Sequence, residues 1–539
     1  MNQSRWTSKI KDFVEKKLQR KNFPGLALAV TDREGVLYSE AFGFADLRGR
    51  REARLEDLFE IGSIGKSFTA LLLLQLKDEG ELDLHEPVER YLPWFEAVSS
   101  PDPIEIHHLL THTAGVIRGT EISPEDRYQV WLLREMEATT PPGEFFHYSN
   151  TGYKALGSLL KRVTGKGYGE LVRERILEPL GMEETEPTIN NEIREKLAPG
   201  HTPYYDDRPL PPQGRLAPAT WMETATADGC IASTAEDMSR YLRLLLGRGK
   251  FEGKRLISEK SFSLLTQKAI ETPGLMRGDY YGYGLEIWGK DRGDGLRIGH
   301  GGGMVGYSAR ILADMEAGRA AVALSNGPRD PSPMAEYALK LALAGAEGGK
   351  LPPAPKESEK GKGVSAYTGR YRQVDGDRSL QLEEGRGGTL LSTEGKEPEK
   401  LSRLGEDEFY LDLPPFHLFP LRFQLEEGEA IAAVNGPRLF LKEGGKGRSR
   451  EASGWEVYRG HYRSYSPWET NFRVLSRGGK LLLIHPAGEE EELVELGGGL
   501  FRVGSDPRSP ERMEFDTLID GRATRAVFSG TPYYRVPTE

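Results

Sequence analysis

Near the start of the chain Ile10, Phe13, Val14 and Leu18 recur at helical spacing among charged neighbours, the pattern of an amphipathic first helix. Gly25 to Val30 and Val36 to Phe42 are apolar or alternating runs on either side of Asp32-Arg-Glu-Gly35, which predicts a β-hairpin. Ile64 to Glu79 is rich in Leu and Ala, opens after a serine and stops just before Gly80, so it carries both a start and a stop signal for a helix. Leu296 to Ile298, Ser308 to Ala313 and Ala320 to Ser325 predict three further strands, joined by the glycine-rich His300 to Gly306 and a turn around Gly318. The residues between these strand clusters read mostly as helix. Strands at both ends of a helical middle predict one antiparallel sheet assembled from both ends, with helices packed on it.

The second half changes character twice. Residues 347–363 are rich in Gly, Pro, Lys and Glu, and residues 443–454 in Gly, Arg and Ser; both read as exposed linkers. After each one the same phrase returns, Tyr367-Thr-Gly369-Arg-Tyr371 and then Tyr458-Arg-Gly460-His-Tyr462, followed by short alternating segments such as Leu380 to Leu382 and Leu481 to Ile484. This internal repeat has the length, turns and short strands of a small antiparallel β-barrel, lipocalin-like in kind. The expected organisation is a catalytic domain over 1–346, a linker over 347–363, a β-barrel over 364–442, a linker over 443–454 and a second β-barrel over 455–539.

Composition narrows the function classes. With 37% apolar and 29% charged residues the chain reads as globular, and a formal charge of -10 without a dense Lys/Arg cluster disfavours nucleic acid or anionic membrane as partner. The longest apolar runs, around Ala70 to Leu74 and Leu242 to Leu246, are far too short to span a bilayer. Cys230 is the single cysteine and the N-terminus lacks the apolar core of a secretory signal, so a cytoplasmic enzyme is expected.

Ile61-Gly-Ser63-Ile-Gly-Lys66 places a serine at the mouth of a helix and a lysine one turn on. Residues three apart share a helix face, so the Lys66 amine can reach the Ser63 hydroxyl and take its proton. Ser-x-x-Lys also occurs at Ser8/Lys11 and Ser158/Lys161, and alone it fits an ordinary helix cap as well as a nucleophile. Tyr148-Ser-Asn150 follows a Pro/Gly turn; it offers a proton shuttle and an amide, or equally a packed ring and a cap at a helix starting near Thr151. His300-Gly301-Gly302-Gly303 lies at the end of a strand, where glycines let a substrate backbone approach and the Gly303 N–H could join that of Ser63 around an oxyanion. The same tetrapeptide suits an α/β-hydrolase oxyanion loop or a plain hairpin. The hydrolase alternative needs Gly-x-Ser-x-Gly, and Ser63 is flanked at that spacing by Ile61 and Gly65.

Taken in order, Ser63-x-x-Lys66, Tyr148-x-Asn150 and His300-x-Gly302 resemble the three motifs of penicillin-binding proteins and class C β-lactamases, in the branch containing D-aminopeptidases, D-peptidases and class VIII esterases. Leu109 to Gly115, Asp228 to Asp237 and Tyr283-Gly-Leu285 are similar to further phrases of that family. The resemblance covers about residues 20 to 330. It implies an α/β sandwich of β-lactamase/transpeptidase type, an antiparallel sheet with helices on both faces plus an all-helical subdomain, followed here by two small barrels.

By this resemblance Ser63, Lys66 and Tyr148 are catalytic as nucleophile, base and proton shuttle. Asn150, His300, Gly301 and Gly302 bind substrate, and the N–H groups of Ser63 and Gly303 hold the oxyanion. His300 stands where many relatives carry lysine and is expected to titrate near neutrality as a polar or cationic contact, which shifts the expected substrate from β-lactams to peptides or esters. The expected function is a serine hydrolase that needs neither metal nor other cofactor and cleaves small D-amino-acid amides or peptides through an acyl-enzyme. The alternatives are a carboxylesterase of the same fold and a non-catalytic penicillin-binding or peptidoglycan-sensing module. The partner is a small peptide, amide or ester, with no nucleic acid or membrane, and a homo-oligomer is compatible. His107, His108 and His112 read as packing and capping residues, Cys230 as a small buried one, and His201 to Trp221 as an irregular loop, either cleft wall or surface excursion.

Overall fold

The computed structural model describes every residue except 1, 99–101, 120–124, 273, 275, 290–294, 347, 356–363, 386–387, 394–396, 445–453 and 538–539. Most of the two expected linkers therefore lies outside the described residues. The chain divides into two compact units, Met1–Thr202 with Leu216–Ala354, and Pro203–Arg215 with Pro355–Glu539.

The first unit is built on a nine-stranded antiparallel sheet. Its middle joins the two ends of the unit: Gly25–Asp32 pairs with Arg319–Ser325 on one side, Leu26 opposite Ser325, and with Val36–Asp46 on the other. Side chains alternate across a strand, and the sequence exploits it. Leu26, Leu28 and Val30 pack with Ile10, Phe13 and Val14 of the first helix, Asn2–Lys21, and with the Ser332–Ala346 helix. Ala27 and Ala29 turn to the opposite face, into the larger core that holds Leu71 to Leu74. The sheet is thus a middle layer with helices on both faces. The predicted helix opens with a 3-10 turn over Gly62–Ile64, runs over Gly65–Glu79 and stops at Gly80 in the left-handed conformation.

One expectation is corrected here. The glycine run His300 to Gly306 does not join two strands; the strand continues over Arg297–Met304, in register with Tyr307–Asp314 from Arg297 opposite Asp314 to Met304 opposite Tyr307. Its low strand propensity is overridden by continuous pairing with Tyr307–Asp314.

In the second unit the later repeat forms a closed eight-stranded barrel from Gly460–Arg463 to Thr531–Val536. The earlier repeat is a nine-stranded sheet whose two edge strands, Glu399–Lys400 and Ser402–Gly405, are separated in sequence only by Leu401. The sheet therefore curls back on itself, close to a barrel. The repeated Tyr-x-x-x-Tyr phrase has a physical content: the hydroxyl of Tyr371 donates to the carbonyl of Tyr367 at 2.8 Å, and that of Tyr462 to Tyr458 at 2.7 Å. Each bond ties the first strand of its repeat to the turn before it.

The stretch His201 to Trp221 is split. Its central part, Pro203–Arg215, belongs to the second unit, where Asn471 donates to the carbonyl of Asp206 at 2.9 Å and Arg473 pairs with Asp207 at 3.2 Å. Among the described residues no helix is long and apolar enough to cross a membrane.

Candidate active site

The site is assembled around the turn that precedes the Gly65–Glu79 helix. Gly62 has φ of +52°, and a Cβ there would lie 2.6 Å from the carbonyl oxygen and 2.7 Å from the nitrogen of Gly303, so glycine is required on both conformational and steric grounds. Ser63 is partly exposed, whereas Lys66 one turn on is completely buried. The Lys66 Nζ lies 3.0 Å from Ser63 Oγ, 2.8 Å from Asn150 Oδ1 and 2.7 Å from the carbonyl oxygen of Asp228. A neutral amine here has two N–H groups for the two carbonyl oxygens and a lone pair left for the serine hydroxyl. Its protonated form has a donor for each of the three.

Tyr148 and Asn150 are held by the start of the Asn150–Thr164 helix. The cap is Ser149, not Asn150: its Oγ accepts from the Gly152 N–H at 3.0 Å and donates to the Ile117 carbonyl at 2.7 Å. This leaves the Asn150 amide for Lys66. His112, buried and at φ +58°, accepts the Ser149 N–H at 3.0 Å and lays its ring 4.2 Å from that of Tyr148. Lys66 Nζ lies over the Tyr148 ring, 4.9 Å from its centroid. Burial pushes the Tyr148 phenol well up, and the Ser63 hydroxyl beside it acts in the opposite sense. Tyr148 is therefore a neutral phenol at ordinary pH, next to the serine oxygen.

The third wall is the Arg297–Met304 strand. Its partner Glu286–Trp288 pairs with it only as far as Gly299, so from His300 onward one edge is open. The Gly301 N–H leaves by that edge, 3.4 Å from Glu286 Oε1. Backbone N–H groups alternate in direction along a strand, so the Gly303 N–H leaves by the same edge. A Cβ on Gly302 would lie 1.9 Å from the Ile61 carbonyl oxygen, which explains why glycine occupies a strand interior here. Behind Gly301, Glu286 and Arg310 form a buried bidentate pair at 2.9 and 3.0 Å. Burial pushes the Glu286 carboxyl up, but Arg310 outweighs it and the net position is below the usual range.

His300 differs from expectation. It is 1% exposed, its Nε2 sits 2.9 Å from the Tyr281 hydroxyl and its Nδ1 meets the Gly301 carbonyl. Nδ1 must carry the proton to meet a carbonyl, so Nε2 accepts from Tyr281. Burial pulls its pKa down to about 4, against the partial opposition of Glu286. The imidazole is thus neutral with both nitrogens engaged, and the cationic contact and near-neutral titration expected of it are corrected.

Ser63, Lys66, Tyr148 and Asn150 come together, with His300 and the glycine strand alongside. The other Ser-x-x-Lys pairs do not join them: Lys11 pairs with Glu40 from the first helix, and Ser158 lies on the Asn150–Thr164 helix. His107 meets the Tyr283 hydroxyl at 2.7 Å and His108 accepts the Glu105 N–H at 3.0 Å, as packing and capping residues. Cys230 is buried. Among the described residues no group of three His, Cys, Asp or Glu is arranged to hold a metal. Sequence reading passed over the contributions of His112, Asp228 and Tyr281. Asp228 acts through its carbonyl, which side-chain chemistry does not signal, and His112 through a left-handed backbone legible only as the phrase His112-Thr-Ala-Gly115.

The sequence profile described as Beta-lactamase matches residues 10–346. Penicillin-binding protein 4* of Bacillus subtilis (strain 168) is 26% identical over 387 residues, 66% of this chain and 81% of that protein. Penicillin-binding protein 4 of Amycolatopsis lactamdurans is 30% identical over 320 residues, 56% of this chain and 81% of that one. The structure of the octameric penicillin-binding protein homologue from Pyrococcus abyssi superposes with a TM-score of 0.60 at 26% identity, covering 81% of this chain and 99% of that one. The profile match spans more than half of the chain, and with the assembled serine and lysine it establishes that the chain belongs to the beta-lactamase family of serine hydrolases.

Proposed function

We propose that Ser63 is acylated by a small amide or ester and then deacylated by water. The observation that carries this reading is the 3.0 Å approach of the buried Lys66 Nζ to Ser63 Oγ. The neutral Lys66 amine takes the hydroxyl proton as Ser63 Oγ attacks the substrate carbonyl carbon. The carbonyl oxygen becomes an oxyanion held by the N–H groups of Ser63 and Gly303. Tyr148, beside Ser63, delivers its phenolic proton to the departing amine or alkoxide and takes in its place the proton held by Lys66, so that the amine is again neutral. Water then attacks the acyl carbonyl, the proton returns through the same groups, and Ser63 is released. Asn150 orients Lys66 and the substrate carbonyl, and the open edge at Gly301 and Gly302 receives the substrate backbone.

The substrate class we infer is an amide or peptide next to a D-amino acid. His300 supports it: a neutral imidazole offers a β-lactam carboxylate no positive partner, unlike the lysine of the β-lactamase motif. An esterase is the second reading, since the same acyl-enzyme serves both leaving groups. The octameric state belongs to the Pyrococcus abyssi homologue; we extend a homo-oligomeric assembly to this chain, to be measured by light scattering.

The test is a panel of D- and L-amino acid p-nitroanilides, short p-nitrophenyl esters and a chromogenic cephalosporin, with wild type and Ser63→Ala. D-anilides turned over faster than L-anilides and cephalosporin support the reading. Undiminished turnover by Ser63→Ala overturns the Ser63 assignment. A long-lived penicillin adduct with no turnover of any panel member selects the non-catalytic penicillin-binding alternative.

A further inference from the structure

Three residues before Ser63, Glu60 is 7% exposed, and among the described residues nothing pairs with its carboxyl. Burial pushes its pKa up to about 8. It lines a cavity of about 230 Å³ together with Trp221, Met222, Met304, Val305 and Tyr307. A buried carboxyl must be compensated by neighbouring groups, by water or by a ligand. The neighbouring groups do not: the Tyr307 hydroxyl is committed to the Ala198 carbonyl at 2.8 Å. Arg194, also on the cavity wall, is stacked over the Trp221 ring at 5.0 Å. Trp221 in turn has a buried Nε1–H without an acceptor among the described residues.

The place of this cavity along the substrate path follows from the strand. Gly303, whose N–H faces the open edge, is followed directly by Met304 and Val305 of the cavity wall. Tyr148 and His300, whose rings are 6.4 Å apart, mark the other direction, where the leaving group receives its proton. A substrate laid along the edge with its carbonyl oxygen at Gly303 therefore extends its leaving group toward Tyr148 and its acyl half toward Met304. We propose that the Glu60 cavity receives the acyl half of the substrate and that Glu60 recognises a primary ammonium group carried there. This rests on the acylation of Ser63 proposed above. An ammonium within hydrogen-bonding distance stabilises the ionised carboxylate and supplies a charge-assisted partner that the neighbouring Tyr307 hydroxyl, bonded to Ala198, does not. The volume suits a small aminoacyl group.

The test compares kcat/KM for glycine p-nitrophenyl ester, which carries the ammonium, with N-acetylglycine p-nitrophenyl ester, which does not, using p-nitrophenyl acetate as a neutral reference. Wild type is expected to prefer the free amine by about tenfold or more, as for a charge-assisted contact in a buried site. Glu60→Gln should abolish that preference, mainly through KM, while p-nitrophenyl acetate turnover is retained. A preference unaltered by Glu60→Gln, equal losses on all three esters, or a wild-type preference for the N-acetyl ester overturns the proposal. Should Glu60→Gln fail to fold, wild type alone decides: propylammonium must inhibit p-nitrophenyl acetate hydrolysis competitively and more strongly than propanol, and equal inhibition overturns the proposal. Absence of Ser63-dependent turnover overturns the acylation reading and this one with it, whereas turnover with an unaltered preference overturns this one alone.

Discussion

The Nζ of Lys66 lies 2.8 Å from Oδ1 of Asn150, although 84 residues separate them in sequence. Ser149 makes the contact available by capping the helix itself, and His112 fixes Ser149. An amine held this way by Asn150 and the Asp228 carbonyl has its remaining valence directed at Ser63. Replacing Lys66 with Met keeps most of the buried volume and removes the proposed proton acceptor. Acylation by p-nitrophenyl acetate should then slow by about 10²–10⁴-fold, measured by stopped-flow release of nitrophenol at a temperature where the variant is folded, since Asn150 Oδ1 and the Asp228 carbonyl lose a buried donor and stability should fall by about 1–3 kcal/mol. Asn150→Ala should slow the same step less, because the Asp228 carbonyl remains.

The glycine strand gives a steric prediction with an internal control. A methyl group at residue 302 would collide with the Ile61 carbonyl at 1.9 Å, whereas at 303 nothing lies within 4 Å. Gly302→Ala should destabilise the protein by about 1–3 kcal/mol, while Gly303→Ala leaves chemical denaturation unchanged. Equal denaturation midpoints for the two variants would contradict the packing described for this edge.

Acid stability should report the burial of His300. Its native pKa is down at about 4, whereas an unfolded histidine takes up its proton near 6.5. Between those values the unfolded chain binds more protons than the native one, so this residue's contribution to stability is lost as pH falls from about 6.5 to about 4. The gap in melting temperature between wild type and His300→Gln should shift against wild type over that window and stay constant above pH 7. A shift centred above pH 7 would contradict a buried, neutral imidazole.

In the repeats, Tyr371→Phe and Tyr462→Phe each remove a hydroxyl bonded to the carbonyl four residues back. Each should lower stability by about 1 kcal/mol, read from the unfolding of the second unit, with any Ser63-dependent turnover of p-nitrophenyl acetate unaltered. A loss in one repeat but not the other would mean that the shared phrase does different work in each.

Much of this arrangement was legible because it is locally encoded. The helix over Gly65–Glu79 carries its own stop at Gly80, and the hairpin around Asp32 to Gly35 its own turn; Asp32 Oδ1 accepts the N–H groups of Glu34 and Gly35 at 2.8 and 3.0 Å. The motif residues were legible as types in order, a pattern the fold then converts into proximity. What escaped depends on contacts distant in sequence. The strand through Gly302 is held by its pairing with Tyr307–Asp314, and its glycines are there because Ile61 lies against it, so its own composition misleads. The neutral state of His300 depends on Tyr281 and on burial, which a motif does not encode. Pro203–Arg215 reads as an irregular excursion until Arg473 and Asn471, more than 250 positions on, supply its partners.

The central claim is that Ser63 is the residue acylated, and intact-protein followed by peptide mass spectrometry after rapid acid quench with p-nitrophenyl acetate tests it most directly. The account predicts a single acetyl group on the peptide containing Ser63, formed with a burst of nitrophenol and lost in Ser63→Ala. An acetyl group on another residue, or an equal burst from Ser63→Ala, would contradict it.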